Sequence, residues 1–242
     1  MDPIKRNNMS RTILITGAKG NLGGAVLNKF LENDFQVAAL VSDRRTNNLK
    51  ATAMLKTFPL DLLDEDKVQK TVSQVVGVFG KIDMAVLTAG GFTMGGLADT
   101  GEEELNKMYR LNFLTAYHVA RQVFLQMQKQ EDGGQVVLTG SRPAIHPRSA
   151  VNMLSYALGK SLVFRLAEVI NEDGKNSGIT ASVIVPGIID TAQNREAMPD
   201  ADFNTWVSAS EIADNIYHLA TPAGRQLRES IIKVYGESQA GY

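Results

Sequence analysis

The sequence predicts an α/β fold in which one doubly wound parallel sheet of about seven strands carries helices on both faces. Short, nearly continuous apolar runs alternate along the chain with longer segments whose apolar residues recur at helical spacing. Continuous apolar strands are typical of a parallel sheet that is covered on both sides, and right-handed crossovers wind such a sheet in two directions. The 242 residues contain no internal repeat and no linker rich in proline or serine, which favours a single domain.

Each element is predicted from its own pattern. In the first helix, Leu22, Val26 and Phe30 recur at helical spacing, and Asn33 with Asp34 ends it. Seven apolar runs are predicted to be strands: Thr12–Thr16, Val37–Val41, Lys56–Leu60, Met84–Thr88, Gln135–Thr139, Thr180–Val185 and Ser230–Tyr235. The remaining helices are predicted over Asp64–Phe79, Glu102–Lys129, Leu154–Asn171 and Ala209–Ala220.

The composition excludes several classes of function. The chain is 44% apolar and 21% charged, as in ordinary globular domains, and it is therefore not predicted to be disordered. Its 25 Lys and Arg residues nearly balance 26 Asp and Glu residues, which leaves no strong field to hold nucleic acid or a membrane surface. There is no cysteine, and His118, His146 and His218 are too scattered for a metal motif. No metal is predicted.

The N-terminal residues 1–8 are interpreted as a polar leader, and residues 9–242 as the domain. The leader lacks the apolar region of a secretory signal. No segment of the sequence approaches the ~18 apolar residues that a membrane span requires. A cytoplasmic protein is expected.

A glycine-rich loop, TGAKGNLGG over residues 16–24, joins the first strand to the first helix. Glycines at this place let the backbone turn tightly and approach a pyrophosphate, which the free N–H groups of the helix N-terminus then bind. A glycine-rich turn without a ligand is the alternative, but the place of the loop in the first β–α unit favours dinucleotide binding. A P-loop is excluded because no Gly-Lys-Ser/Thr follows. The predicted contacts are Gly17, Lys19, Gly20, Asn21 and Leu22.

The loop resembles that of the short-chain dehydrogenase/reductase family. Asn21 stands where the common pattern TGxxxGxG has a glycine, so the loop is closer to the atypical or extended branch, whose long substrate domain this chain lacks. The resemblance implies a Rossmann-type fold, a nicotinamide dinucleotide and hydride transfer to or from a small molecule.

Four residues resemble the catalytic tetrad of that family. Tyr156 and Lys160 are four residues apart on one face of a predicted helix, an arrangement that by itself also fits two solvated side chains. Ser141, after the fifth strand, and Asn112, on the long helix, complete the tetrad in order and context. The resemblance implies that Tyr156 is the acid/base, with Lys160 and the oxidised nicotinamide lowering its pKa. It also implies that Ser141 bonds the substrate oxygen, Asn112 holds a water and Lys160 bonds the nicotinamide ribose.

Further cofactor contacts follow from the same resemblance. They lie after the third, fourth and sixth strands, where the family contacts adenine, ribose and nicotinamide. Leu87 and Thr88 replace two asparagines of the family pattern, while the glycines after them are present. The residues implied are Asp61, Leu62, Ala89, Gly90, Gly91, Pro186, Gly187, Ile189 and Thr191.

The residues after the second strand favour NADP(H) over NAD(H). Val41 stands where relatives that prefer NAD have an acidic residue for the ribose 2′-hydroxyl. Ser42 follows, and Arg44 and Arg45 together with Lys19 suit a 2′-phosphate. Asp43, an acidic residue, favours NAD(H) instead. The charged residues also fit a solvated turn without a ligand, so NAD(H) stays an alternative.

Residues 190–208 are predicted to form a lid over the site, with Trp206 exposed. This segment and other parts of the C-terminal half resemble the dihydropteridine reductases, which lack the family serine, whereas Ser141 is present here. Three functions are therefore considered: reduction of a small carbonyl compound, reduction of a quinonoid pterin, and NAD(P) sensing by an interaction protein without turnover. The complete tetrad argues against the last.

The chain is also expected to form a dimer or tetramer. The Tyr156 helix carries apolar residues beyond one face, and relatives in the family pair this helix and the long helix between subunits. The apolar residues are Leu154, Leu158, Leu162 and Leu166.

Overall fold

The computed structural model describes residues 11–43 and 49–237, and the predicted leader, residues 1–8, lies outside them. Seven strands form one sheet in the order β3-β2-β1-β4-β5-β6-β9, and every pair in it is parallel. The bounds of these strands are β1 Thr12–Thr16, β2 Gln36–Val41, β3 Leu55–Pro59, β4 Met84–Leu87, β5 Gly134–Thr139, β6 Ile179–Pro186 and β9 Ile231–Val234. Two short strands, β7 Ile189–Asp190 and β8 Val207–Ser208, pair separately. The doubly wound parallel sheet is confirmed.

The structure has the helices predicted from the sequence, with one of them divided in two, and it adds two short helices over Pro147–Ala150 and Ala192–Ala197. They are α1 Asn21–Glu32, α2 Glu65–Phe79, α3 Glu102–Tyr109, α4 Thr115–Met127, α5 Pro147–Ala150, α6 Leu154–Gly174, α7 Ala192–Ala197 and α8 Ala209–Ala220. The single helix predicted over Glu102–Lys129 is wrong, because a π-helical turn at Arg110–Leu114 separates α3 from α4. Single π-turns of this kind often occur at functional sites.

The core consists of two apolar layers, one on each face of the sheet. Side chains alternate along a strand, so Ile13 and Ile15 face one layer while Leu14 faces the other. Helices α1 and α8 cover the first face, and α2, α4 and α6 cover the second. Each fully buried Val, Leu or Ile contributes about 1.5–3 kcal/mol, so these layers fix the sheet firmly. None of the helices within the described ranges is long and apolar enough to cross a membrane.

Strand order reverses between β1 and β4, which both run parallel to their neighbours. Connections leave the carboxyl ends of these two strands toward opposite faces, and a crevice opens between them. The glycine loop follows β1 and the segment Ala89–Gly91 follows β4. The fold therefore brings two of the predicted cofactor segments to one edge.

Candidate active site

The glycine loop is built so that backbone can approach backbone closely. Gly17 has φ +63°, in the left-handed region that glycine adopts without strain. A Cβ on Gly23 would lie 2.2 Å from the Gly17 carbonyl oxygen and 2.8 Å from Thr88 Oγ1, so only glycine fits there. Gly20 is the N-cap of α1 and makes no side-chain bond to the helix. The first N–H groups of α1, with the positive end of the helix dipole, are thus suited to an anion.

The ends of β1 and β4 are tied together by Thr16 and Thr88. Thr88 Oγ1 donates to the Thr16 carbonyl oxygen over 2.6 Å, and the Ala89 amide donates to Thr16 Oγ1 over 3.2 Å. Thr88, which replaces an asparagine of the family pattern, therefore has a structural use of its own. Its hydroxyl holds the turn that leads into the two glycines.

Gly90 lies against two predicted catalytic residues. A Cβ on Gly90 would be 2.7 Å from Asn112 Oδ1 and 3.4 Å from Lys160 Nζ. Asn112, in the π-turn, is buried, accepts a bond from the Gly91 amide over 3.1 Å and donates to the Met108 carbonyl oxygen over 3.2 Å. The amide side chain of Asn112 thus joins the β4 turn to the helix, next to the Lys160 ammonium.

Lys160 is only 5% exposed, and its ammonium donates to the Thr139 carbonyl oxygen over 2.7 Å. Burial lowers the pKa of Lys160 from its usual value to about 8, because the charged form loses water. Thr139 Oγ1 is buried and has no hydrogen-bond partner within the described ranges. A buried ammonium whose bond to a backbone carbonyl leaves further N–H groups can serve a polar ligand that enters here.

Tyr156 lies one helical turn before Lys160 and is half-buried. The Phe92 ring meets it edge-on, with the ring centroids 5.1 Å apart. Burial raises the pKa of the Tyr156 phenol, and the nearby Ser141 hydroxyl lowers it in part. The expected lowering of the Tyr156 pKa by Lys160 is therefore not seen in the protein alone. The Lys160 ammonium donates to the Thr139 carbonyl oxygen, and burial is the largest effect on the Tyr156 pKa.

Ser141 is 5% exposed and lies just beyond β5. Among the described residues its Oγ has no partner at the distance and angle of a direct hydrogen bond, although it is near enough to the Tyr156 phenol to affect the pKa. A buried hydroxyl without a partner costs about 1–3 kcal/mol. A substrate oxygen placed between Ser141 and Tyr156 would satisfy it.

The predicted adenine and phosphate contacts lie along the same edge of the sheet. Asp61 Oδ1 accepts the Leu63 amide over 3.0 Å, and His118 Nδ1 lies 3.0 Å from the Leu62 carbonyl oxygen. Val41 is buried at the end of β2, while Ser42 is exposed after it. Arg44 and Arg45 lie outside the described residues. Their contact with a phosphate stays a prediction.

Pro186 and Gly187 follow β6 closely. A Cβ on Gly187 would be 2.9 Å from the Tyr235 carbonyl oxygen, and the Gly187 amide donates to the Val234 carbonyl oxygen over 2.8 Å. Ile189 is half-buried in β7. Thr191 is the N-cap of α7, where its Oγ1 accepts the Asn194 amide over 3.1 Å. This cap role was missed, although Thr before a helical segment is its usual signal.

The segment predicted as a lid has internal contacts that the sequence did not reveal. Arg195 forms two hydrogen bonds to Asp190, at 2.6 and 2.8 Å, and lies over the Phe203 ring at 4.7 Å. The prediction that Trp206 is exposed is wrong, since it is 7% exposed and packs against Phe203 at 4.8 Å. The following residue, Val207, enters the core and draws Trp206 inward.

Comparison with known proteins agrees with this geometry. Residues 11–202 match the family model described as short chain dehydrogenase. The chain belongs to the short-chain dehydrogenase family. This short-chain dehydrogenase is 26% identical to a dihydropteridine reductase of Dictyostelium discoideum, with 96% of this chain and 97% of the relative covered. The resemblance seen in the C-terminal half thus extends along nearly the whole chain.

Two further comparisons, one with a curated relative and one with a solved structure, also match nearly the whole chain. It is 25% identical to the 3-oxoacyl-[acyl-carrier-protein] reductase MabA of Mycobacterium avium, over 97% of this chain and 92% of that protein. The NADPH-bound structure of a short chain oxidoreductase of Pseudomonas aeruginosa PAO1, which contains an atypical catalytic center, has a TM-score of 0.83 at 19% identity. That comparison covers 97% of this chain and 98% of the other, and it supports the fold. The prediction of an oxidoreductase of this family is confirmed.

Proposed function

We propose that this short-chain dehydrogenase transfers hydride between NADP(H) and the reacting carbon of a small carbonyl or alcohol substrate, with Tyr156 as the acid/base. The observation that carries the proposal is the buried Ser141 hydroxyl, which lies beside the Tyr156 phenol and has no direct hydrogen-bond partner within the described ranges. Two hydroxyls that converge in this way suit one substrate oxygen that gains negative charge during reduction.

The residues present fit a nicotinamide dinucleotide. Close packing at Gly17 and Gly23 leaves the loop without side chains that would block a pyrophosphate, and Gly20 leaves the α1 N-terminus uncapped. The Lys160 ammonium, which donates to the Thr139 carbonyl oxygen, has further N–H groups to offer to a ribose. When bound, NADPH supplies the hydride. Pro186, Gly187, Ile189 and Thr191, at the end of β6, are the residues we assign to the nicotinamide end.

The chain's own residues supply the proton chemistry. The Tyr156 phenol is protonated at neutral pH, since burial raises its pKa, and it can donate that proton to the substrate oxygen. Ser141 donates a hydrogen bond to the same oxygen. Lys160 and Asn112 lie behind the β4 turn, where Asn112 Oδ1 accepts the Gly91 amide. We assign both residues to orienting the ligand and a water molecule, so that the Tyr156 phenol can regain the proton that it donates.

A quinonoid pterin is the second candidate substrate, because the Dictyostelium relative named as a dihydropteridine reductase matches almost the whole chain. The experiment is an NADPH and NADH oxidation assay against ketones, aldehydes and quinonoid dihydropterin. Rapid oxidation with a ketone or aldehyde supports the carbonyl function. Turnover of the pterin alone would support the second candidate, and no oxidation with any substrate would support a protein that binds NAD(P) without catalysis.

We expect NADPH to bind more tightly than NADH, by about 10- to 150-fold, since charge-assisted bonds to one phosphate contribute ~1.5–3 kcal/mol. Val41 is apolar and buried, so no carboxylate at that position holds the ribose hydroxyl or repels the phosphate. Calorimetric titration with both cofactors measures the ratio. Replacing Arg44 and Arg45 together by Gln should lower the ratio of the NADH Kd to the NADPH Kd. The control Lys70→Gln, on the exposed side of α2, should leave that ratio unchanged. Equal affinities, or a preference for NADH, contradict the assignment.

We also expect a dimer or tetramer that is formed through α3, α4 and α6. Gly159 allows α6 to approach α3, since a Cβ there would be 2.9 Å from the Met108 carbonyl oxygen. Leu158 and Leu162 are exposed beside this contact, and Leu154 and Leu166 are half-buried. Light scattering at micromolar concentration should give two or four times the 26.3 kDa chain mass. Leu162→Arg should lower that mass, and a wild-type mass near one chain excludes the assembly.

A further inference from the structure

We propose that the substrate carries an extended apolar body beyond its reacting carbonyl, and that this body packs on four exposed side chains next to Tyr156. The inference rests on the proposed function and names the substrate class of the same site. The four side chains, here called the apolar platform, are Phe92, Met94, Leu97 and Val151, with exposed fractions of 58%, 59%, 84% and 65%.

The platform begins at the candidate catalytic tyrosine. Phe92 contacts the Tyr156 ring edge-on at 5.1 Å while more than half of its own surface stays open. Met94 and Leu97 follow Phe92 along the chain, and Val151 reaches the same place from the loop before α6. A Cβ on Gly96 would lie 3.2 Å from the Val151 carbonyl oxygen, which places the two loops in contact. The exposed apolar side chains therefore stand on two touching loops, which adjoin the Tyr156 end of α6.

The two loops are held in place by backbone hydrogen bonds. The Gly95 amide donates to the Asn152 carbonyl oxygen over 2.8 Å, and the Leu154 amide donates to the Gly95 carbonyl oxygen over 2.9 Å. Thr100 Oγ1 also bonds the Gly96 carbonyl oxygen over 2.8 Å. Because these bonds hold the loop backbone before a ligand arrives, little backbone entropy is lost when a substrate packs on the platform.

The chain segments that carry the platform contain no charged residue, and the nearest charges in sequence are Asp99 and Arg148 at their ends. Residues 84–98 and 149–159 contain no Asp, Glu, Lys or Arg. Exposed apolar side chains that cluster in uncharged loops mark binding surfaces, and covering them requires no loss of ion hydration. A ketone or aldehyde with an alkyl chain or fused hydrocarbon rings fits this chemistry better than a short polar substrate does.

The test uses secondary alcohols bound to the protein with NADPH, a pair that cannot react because both partners are reduced. We expect the Kd of 2-alkanols, measured by calorimetry, to fall about threefold for each added methylene from 2-butanol to 2-nonanol. The double variant Met94→Ser, Leu97→Ser should lose most of this increment. These side chains are exposed, so their removal should not destabilise the fold. Val78→Ser, at a 52% exposed position on α2, is the matched control and should keep the increment.

A Kd that does not depend on the alkanol chain length excludes the platform. This result is expected if residues 190–208, rather than a substrate, cover these side chains. It is also excluded if the double variant keeps the full increment. Failure of the proposed reaction gives a different pattern, in which no carbonyl oxidises NADPH although alkanol binding still depends on length. If the protein reduces a carbonyl compound but the alkanol Kd does not depend on chain length, the proposed reaction stands and the platform is excluded.

Discussion

Replacing Tyr156 by phenylalanine is expected to lower kcat by about 10³-fold or more, equivalent to ~4 kcal/mol of transition-state stabilisation. The change removes only the hydroxyl, which is the proton donor in our assignment. The ring and its edge-on contact with Phe92 can be retained, so folding and the shape of the site should persist. Steady-state kinetics with NADPH and a ketone or aldehyde that the wild-type protein reduces gives kcat, and calorimetric titration gives the NADPH Kd, which should change by less than about threefold.

Tyr217→Phe is the matched control for this variant. Tyr217 lies on α8 and packs against Phe30 and Phe35, away from the β4 and β5 turns. The control should keep wild-type kcat. A Tyr156→Phe variant that keeps more than a tenth of wild-type turnover removes Tyr156 from the mechanism.

Replacing Ser141 by alanine should lower kcat by about 10²-fold, the effect typical of losing one donor to a developing oxyanion. The fold should not weaken, since the Ser141 hydroxyl is buried without a direct partner in the described structure and its loss removes a desolvation cost. Thermal unfolding of the variant should therefore occur at the wild-type temperature or slightly above it. This combination of lower activity and unchanged stability separates a substrate contact from a structural role.

Ser182→Ala provides the comparison, because Ser182 is also buried but lies within β6 and pairs with Val137 in the sheet. It should leave kcat unchanged. If Ser141→Ala keeps carbonyl turnover, Ser141 does not contact the substrate. The same conclusion holds if the variant loses activity and its melting temperature also falls below that of the wild-type protein. Turnover of a quinonoid pterin, where present, should survive the change, since hydride enters a conjugated ring and no single oxygen gains the full charge.

The fold could be predicted because the inner strands β1, β2, β4 and β6 are buried on both faces and therefore form apolar runs. The last helix illustrates how local signals fix boundaries. Ser208 and Glu211 form a capping box at its start, and the apolar period ends at Ala220, as predicted. The sheet edge that holds the site follows from the parallel topology alone, which is why the glycine loop and the β4 turn could be placed together.

The rest depends on contacts between residues that are distant in sequence. The π-turn at Arg110–Leu114 around Asn112 was not predicted, because the apolar residues before and after it were taken as one continuous helix. Trp206 was expected to be exposed, whereas its packing on Phe203 and the core contact of Val207 bury it. The Phe92–Tyr156 contact joins the segment after β4 to helix α6, and no local pattern connects these two.

The most direct test of the central claim traces the hydride itself. NADPH that carries deuterium at the transferred position of its nicotinamide ring is mixed with a carbonyl substrate, and the alcohol product is analysed by mass spectrometry and NMR. Our account predicts one deuterium on the carbinol carbon of every product molecule, at a rate that Tyr156→Phe lowers by about 10³-fold. A product without deuterium at that carbon, or no oxidation of NADPH by any carbonyl compound, would contradict it.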